Sequence, residues 1–165
     1  MALADRTTCD EVRAVLGVSD DEIEDRTILL PVYAYNLEAE LRGVSATLIS
    51  RCASVRAKAE AERSDNETWL LKMASIFATY VVAKNLTTSL PMFSPKEISD
   101  SKASIARFAQ NPYSDTIAAI LKQYEVARGR VTDALAALET VNARRFSYVP
   151  NLMRAAGGTD PVTGS

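Results

Sequence analysis

Residues 69–81 read WLLKMASIFATYV. Trp69, Leu70, Met73, Ile76, Phe77, Tyr80 and Val81 recur every three or four positions, the period of one helical face. This is the widest apolar face in the chain, and its spacing predicts the central core helix of a helical protein. Just upstream, Ser64, Asp65 and Asn66 supply the break and the cap that such a helix needs.

Working toward the N-terminus, Ala34, Leu37, Leu41, Val44, Leu48, Cys52 and Val55 form a second amphipathic seam. Pro31 disfavours a helical Leu30 and suits the first helical position itself. Gly43 marks a possible turn, but the apolar phase survives it. One long helix is therefore expected, continuing through the alanine-rich RAKAEAE of 56–62. Earlier still, Thr8 caps a helix over DEVRAVL, with Asp10 and Glu11 in its first turn and Gly17 as its left-handed stop. Ser19-Asp20-Asp21-Glu22 then spells a capping box, with Val18 and Ile23 at the staple positions, and predicts a helix start at Ser19.

Toward the C-terminus, TTSLPMF (87–93) reads as a loop. Ser94-Pro95-Lys96-Glu97 starts a helix carrying Ile98, Ile105 and Phe108, which Asn111-Pro112 ends. The last helix runs from about Ser114 to Arg145 on a stripe of Ile117, Leu121, Tyr124, Val131, Leu135 and Leu138, broken only by Arg128. Period-two alternation is nowhere sustained, and LPMF and FSYV are the sole, weak strand candidates. After Arg145 the helical period stops, and FSYVPNLMRAAGGTDPVTGS mixes aromatics with Pro150, Gly157, Gly158, Pro161 and Gly164. The expected fold is all-α: a multi-helix bundle over residues 1–145, with an extended docking tail over 146–165.

Composition removes most chemistry. The 165 residues include no histidine and only Cys9 and Cys52. Zinc, haem and iron–sulfur constellations and histidine-based catalysis are thereby excluded. The two cysteines read as reduced, half-buried small hydrophobes. Net charge is −2 at pH 7, which argues against a general nucleic-acid binder. MALADRTTCDE is no charged-then-apolar leader, and no apolar run approaches the roughly 20 residues that span a bilayer. A soluble protein of a reducing compartment is expected.

The remaining candidates are few. Asp20–Asp25 holds five acids but lacks the EF-hand spacing, so it reads as helix-end charge with surplus acids Asp20, Asp21, Glu24 and Asp25 left for a neighbouring subunit. Residues 1–25 hold eight acids against two arginines, and residues 126–165 hold five arginines against three acids. Such asymmetry can orient head-to-tail contacts between copies, and ordinary solvated surface is the alternative reading of the same charges. Arg128, Arg130, Arg144 and Arg145 lack the aromatic interleaving of a nucleic-acid groove, and Tyr33, Tyr35 and Trp69 read as core and rim. SDSKAS and the trio Glu38, Glu40 and Glu60 are the only conceivable catalytic sets, and neither has a catalytic context. No catalytic, cofactor or metal residue is assigned, and no enzyme is expected.

The stretch EVRAVLGVSDDEIEDRTILLPVYAYNLEAEL (11–41) resembles the opening of tailed-bacteriophage head-to-tail adaptor proteins, also called head-completion or connector proteins. Many of these begin with an acid-Val-Arg-x-x-Leu-Gly-Val helix, an acidic link and a longer amphipathic helix. The matching residues are Glu11, Val12, Arg13, Leu16, Gly17, Val18, Asp21, Glu22, Ile23 and Asp25, in about the first quarter of the chain. The resemblance implies a non-enzymatic virion protein of the neck, assembled in the bacterial host cytoplasm as a homo-oligomeric ring, commonly of twelve copies. Such a ring sits beneath the portal protein, lets DNA pass without sequence-specific binding, and carries the tail or the next neck protein. It also implies that Arg144, Arg145, Phe146, Tyr148, Val149, Leu152, Met153 and Arg154 dock on the portal. The alternative is a non-catalytic helical-bundle binding or regulatory module that grips a partner helix through the Trp69–Val81 face.

Overall fold

Local capping chemistry decides where most of the helices begin. The computed structural model describes residues 6–87, 98–100, 103–105 and 114–146, with side chains for 6–87 and 114–140. The first helix, α1 (Cys9–Leu16), starts from a full capping box. Thr8 Oγ1 accepts from the Glu11 amide at 3.2 Å, and Glu11 Oε2 accepts from the Thr8 amide at 3.0 Å. Gly17 ends it at φ 71°, where a side chain is disfavoured, and its N–H donates to the Arg13 carbonyl at 2.8 Å.

The expected helix start at Ser19 is not observed. Asp20–Glu22 form a turn, and α2 covers only Asp25–Ile28. Half of the capping box forms, because Glu22 Oε2 accepts from the Ser19 amide at 2.8 Å. The Ser19 hydroxyl, however, bonds that same carboxylate rather than the Glu22 amide. Arg13 Nε also occupies the Ile23 carbonyl at 2.8 Å, the acceptor a continuing helix would offer to Thr27. Thr27 donates to Glu24 instead, and the helix restarts there.

Pro31 begins α3 (Pro31–Val44), as its fixed φ suggests. The single helix expected over 31–62 is two, since α4 is a separate element over Leu48–Arg56. The break falls at Ser45, not at Gly43. Ser45 is extended, and its hydroxyl accepts from the Thr47 amide at 3.2 Å, a local side-chain bond that competes with the helix. The continuation through RAKAEAE is likewise absent. Val55 is the last apolar residue of that seam in the core, and nothing beyond it repays helix propagation. Arg63 folds back and donates to the carbonyls of Val55, Arg56 and Lys58, closing the end of α4. A short 3₁₀ turn, Glu60–Glu62, leads into α5 (Asp65–Leu86), which opens on a Ser64–Glu67 capping box.

Where a helix carrying Ile98 and Ile105 is expected, β1 (Ile98–Asp100) and β2 (Ala103–Ile105) pair antiparallel, with Ile98 opposite Ile105. The run from Ser99 to Ser104 is rich in Ser and Asp, which favour non-helical hydrogen bonding. The expected TTSLPMF loop beyond Thr87, the Ser94–Pro95 start, Phe108 and the Asn111-Pro112 stop lie outside the described residues. The last helix, α6, spans Ser114–Phe146, within a residue of expectation.

The described chain is thus mostly helical. At its centre, α5 packs against α1, α3, α4 and α6. Leu70, Met73, Ala74, Phe77, Ala78, Val81 and Val82 are buried along it, and α6 answers with Ile120, Tyr124, Ala127, Val131, Ala134 and Leu135. Phe77 and Tyr124 meet with ring centroids 5.6 Å apart. Leu121, expected in the stripe, is instead 44% exposed, and Ile120 takes the buried place beside it. Trp69 is 51% exposed and Tyr35 70%, so neither belongs to the core, whereas Tyr33 packs partly against it.

Candidate functional site

Three surfaces and one internal cluster concentrate polar or unclaimed groups. The first is the N-terminal unit. Arg13 on α1 is buried, as are Val12, Leu16 and Ile23, yet its guanidinium reaches three acceptors. Nη1 donates to Asp10 at 3.0 Å, Nε to the Ile23 carbonyl, and Nη2 to Asp25. One side chain thereby ties the first helix to the link and to the start of α2. The half-buried Cys9 thiol is pushed up by burial and then by the neighbouring Asp25 carboxylate.

Around this clamp lies an open, acidic depression lined by Asp10, Arg13, Asp20, Glu24 and Asp25. Of the four acids expected to face a neighbour, Asp20, Asp21 and Glu24 are exposed. Asp25 pairs with Arg13 while its own side chain stays 65% exposed. Glu24 also holds Arg26. Among the described residues no group of three His, Cys, Asp or Glu side chains is arranged to hold a metal ion.

The second surface was not read from the sequence. Leu29, Leu30 and Val32, each about half exposed, precede Tyr35 where α2 hands over to α3. Four large apolar side chains are thus left exposed within seven residues, a few positions after the acids Glu24 and Asp25 in the chain. Spacing hides this run, because Leu30 lies seven residues before Leu37 and falls in phase with the Leu37–Leu41 seam; only Pro31, which interrupts the helix between them, separates it. The third surface is a groove of about 420 Å³ between α1, α5 and α6, floored by Val15, Ile76, Tyr80 and Ala127 and flanked by Glu11 and Arg130.

The internal cluster joins three helices. Glu40 on α3 accepts from Lys84 of α5 at 2.8 Å and from the Tyr124 hydroxyl of α6 at 2.7 Å. Lys84 Nζ also sits 3.9 Å from the centroid of the Tyr124 ring. Burial alone raises the Glu40 carboxyl, but the hydrogen bonds from Lys84 and Tyr124 outweigh it and hold the group below its ordinary range. Desolvation works against the Lys84 ammonium, and Glu40 overcomes it, so the amine is raised. Burial and then Glu40 raise the Tyr124 phenol. With both carboxylate oxygens committed to partners of its own fold, Glu40 reads as a tie between helices. Glu38 pairs with Arg42 at 2.7 Å, and Glu60 is exposed on the 3₁₀ turn, so the trio has separate partners and settings.

Arg6 lies buried ahead of α1, on the flank of α5. Its carbonyl accepts from Ser75 at 2.8 Å, and Thr7 and Thr79 share a hydrogen bond of 2.8 Å. Among the described residues, Arg6 Nε and Nη1 meet no acceptor. The side chains of Arg144, Arg145 and Phe146 lie outside the described residues, as do Tyr148, Val149, Leu152, Met153 and Arg154 in their entirety. No helix among the described residues is long and apolar enough to cross a membrane. No protein-family model, no curated protein and no solved structure matches this chain.

Proposed function

We propose that the chain is a head-to-tail adaptor of a tailed bacteriophage, a non-catalytic neck subunit that forms a ring under the portal. In this reading the helices of residues 1–145 build a bundle that serves as the ring body, and the tail of 146–165 docks on the portal. DNA passes through the channel, and the tail or the next neck protein sits on the far side. The observation that carries the reading is the unity of the N-terminal region. The residues that match the adaptor opening are joined by Arg13 into one folded piece, with Val12, Leu16 and Ile23 in the core.

That piece leaves Asp20, Asp21 and Glu24 outward, beside the apolar run of Leu29, Leu30, Val32 and Tyr35. An apolar centre with a charged rim is the anatomy of a protein–protein interface. Opposite charge in the C-terminal quarter supplies a complementary partner surface on the next copy. Acids that end up facing the channel would keep DNA from adhering during passage.

Native mass spectrometry of the full chain, alone and mixed with portal protein, tests the proposal. A ring, formed alone or on the portal, is expected, and Leu30→Asp with Tyr35→Asp should abolish it. A chain that stays monomeric and ignores the portal overturns the reading. The alternative, a binding module gripping a helix through the 69–81 face, would have to rely on Trp69 and Ile76, because Leu70, Met73, Phe77 and Val81 are buried in its own core.

A further inference from the structure

We propose that the groove between α1, α5 and α6 is the seat for the apolar segment 148–153 of a second copy of this chain. The groove is unusual for its apolar floor. Ile76 is 38% exposed there, on a helix whose other large aliphatic side chains are mostly buried, and Val15 and Tyr80 are only partly covered. A floor of this kind loses stability to water unless something apolar covers it.

Of the apolar runs that no described element accounts for, Leu90–Phe93 and Tyr148–Met153, only the second leads directly into an arginine, and its apolar residues are Tyr148, Val149, Leu152 and Met153. Pro150 in its middle opposes a helix and suits an extended strand of chain lying in a cleft. Arg154 follows directly. At the groove's lip, both hydrogen bonds of Glu11 within its own turn fall on Oε2, which leaves Oε1 as an acceptor for that arginine.

Reach decides which copy supplies the segment. Ala127, on the groove floor, precedes Phe146 by 19 residues on the same continuous helix, about 28 Å along its axis. From Phe146 to Met153 the chain spans at most about 25 Å fully extended, before any allowance for reversing direction. Tyr148 and Val149, two and three residues on, fall far shorter. The run as a whole therefore cannot lie along the floor of its own groove, whereas that of a neighbour can. The inference needs no portal, and portal binding would compete with the groove for the same segment.

The test uses two full-length pools in a Cys9→Ser background, one carrying Gln123→Cys on the exposed lip of the groove and the other Met153→Cys, with different affinity tags. Mixed and mildly oxidised, they should yield a cross-linked species carrying both tags. Excess unlabelled parent chain should dilute that species in proportion. Ile76→Arg in the first pool should reduce the yield at least tenfold while leaving the helical circular dichroism unchanged. A doubly substituted chain that closes on itself when dilute, or a mixture with no cross-link between pools, overturns the proposal. Because no portal is present, either result is separate from the success or failure of the ring-and-portal experiment.

Discussion

Arg13 and Arg6 stand seven residues apart and show opposite fates for a buried guanidinium. Arg13 has an acceptor on every side it presents, so Arg13→Met should loosen the link it holds. Amides of Asp25–Ile28 should then exchange with solvent markedly faster, as hydrogen-exchange mass spectrometry would record. Arg6 keeps Nε and Nη1 without acceptors among the described residues, and an unpaired buried charge costs more than an apolar side chain of similar volume. Arg6→Met should therefore raise unfolding stability by about 1 kcal/mol in urea titrations. A loss of that size would show that the charge has a partner. Glu40 sets a pH response with a definite sign. Its carboxyl is lowered in the fold from the ordinary 4.5, so its contribution is complete above that value and disappears as pH falls through the folded value. Glu40→Gln should flatten the acid limb of the stability profile. Lys84 and Tyr124, both raised, contribute below their ordinary values and lose that contribution as pH climbs through the shifted ones. Residues whose work is local were legible in the sequence, as Thr8, Gly17 and Ser64 show. Arg13 was visible only as one letter of a pattern, because two of its three acceptors lie 10 and 12 residues away, across a turn that spacing does not define.

Helix ends follow a similar division between near and far. The starts at Cys9, Pro31, Asp65 and Ser114 were readable because a cap or a proline announces each within a few residues. Ser19 misled because its partner carboxylate is present while the amide bond that completes the box is not. The division of α3 from α4 turns on which of two weak breakers acts, and the Ser45 hydroxyl prevails over the conformational freedom of Gly43. Ser64→Ala should cost about 1 kcal/mol, read as a shift of the urea midpoint, because α5 loses the acceptor for the Glu67 amide. Gly129 offers the converse. It lies inside α6 with nothing within 4 Å of where a Cβ would sit. Gly129→Ala should accordingly stabilise the chain by about 0.5–1 kcal/mol, and no gain would mean that α6 bends or opens there.

For the molecule as a whole, α5 carries the tertiary structure, and its apolar face declared that role in the sequence. What the face did not declare was its width. Seven large residues were expected inward, but four neighbouring helices leave the Trp69 and Ile76 edges uncovered. Phe77→Ala, at the contact with Tyr124, should cost about 3–5 kcal/mol and lower cooperativity across the molecule. The candidate surfaces were half legible: the acids could be counted, but the apolar patch beside them and the groove required coordinates. One feature reaches beyond stability. Leu135 is the last fully packed residue of α6 among the described side chains, and the helix continues to Phe146, about 16 Å further. One continuous helix of this length acts as a lever. Tilting it by some 5° about Ile120 would carry its far end, about 39 Å away, through roughly 3 Å. Small adjustments of the α5–α6 packing are thus amplified at the C-terminal end of the helix, where a shift too small to disturb the core becomes a displacement of several ångströms.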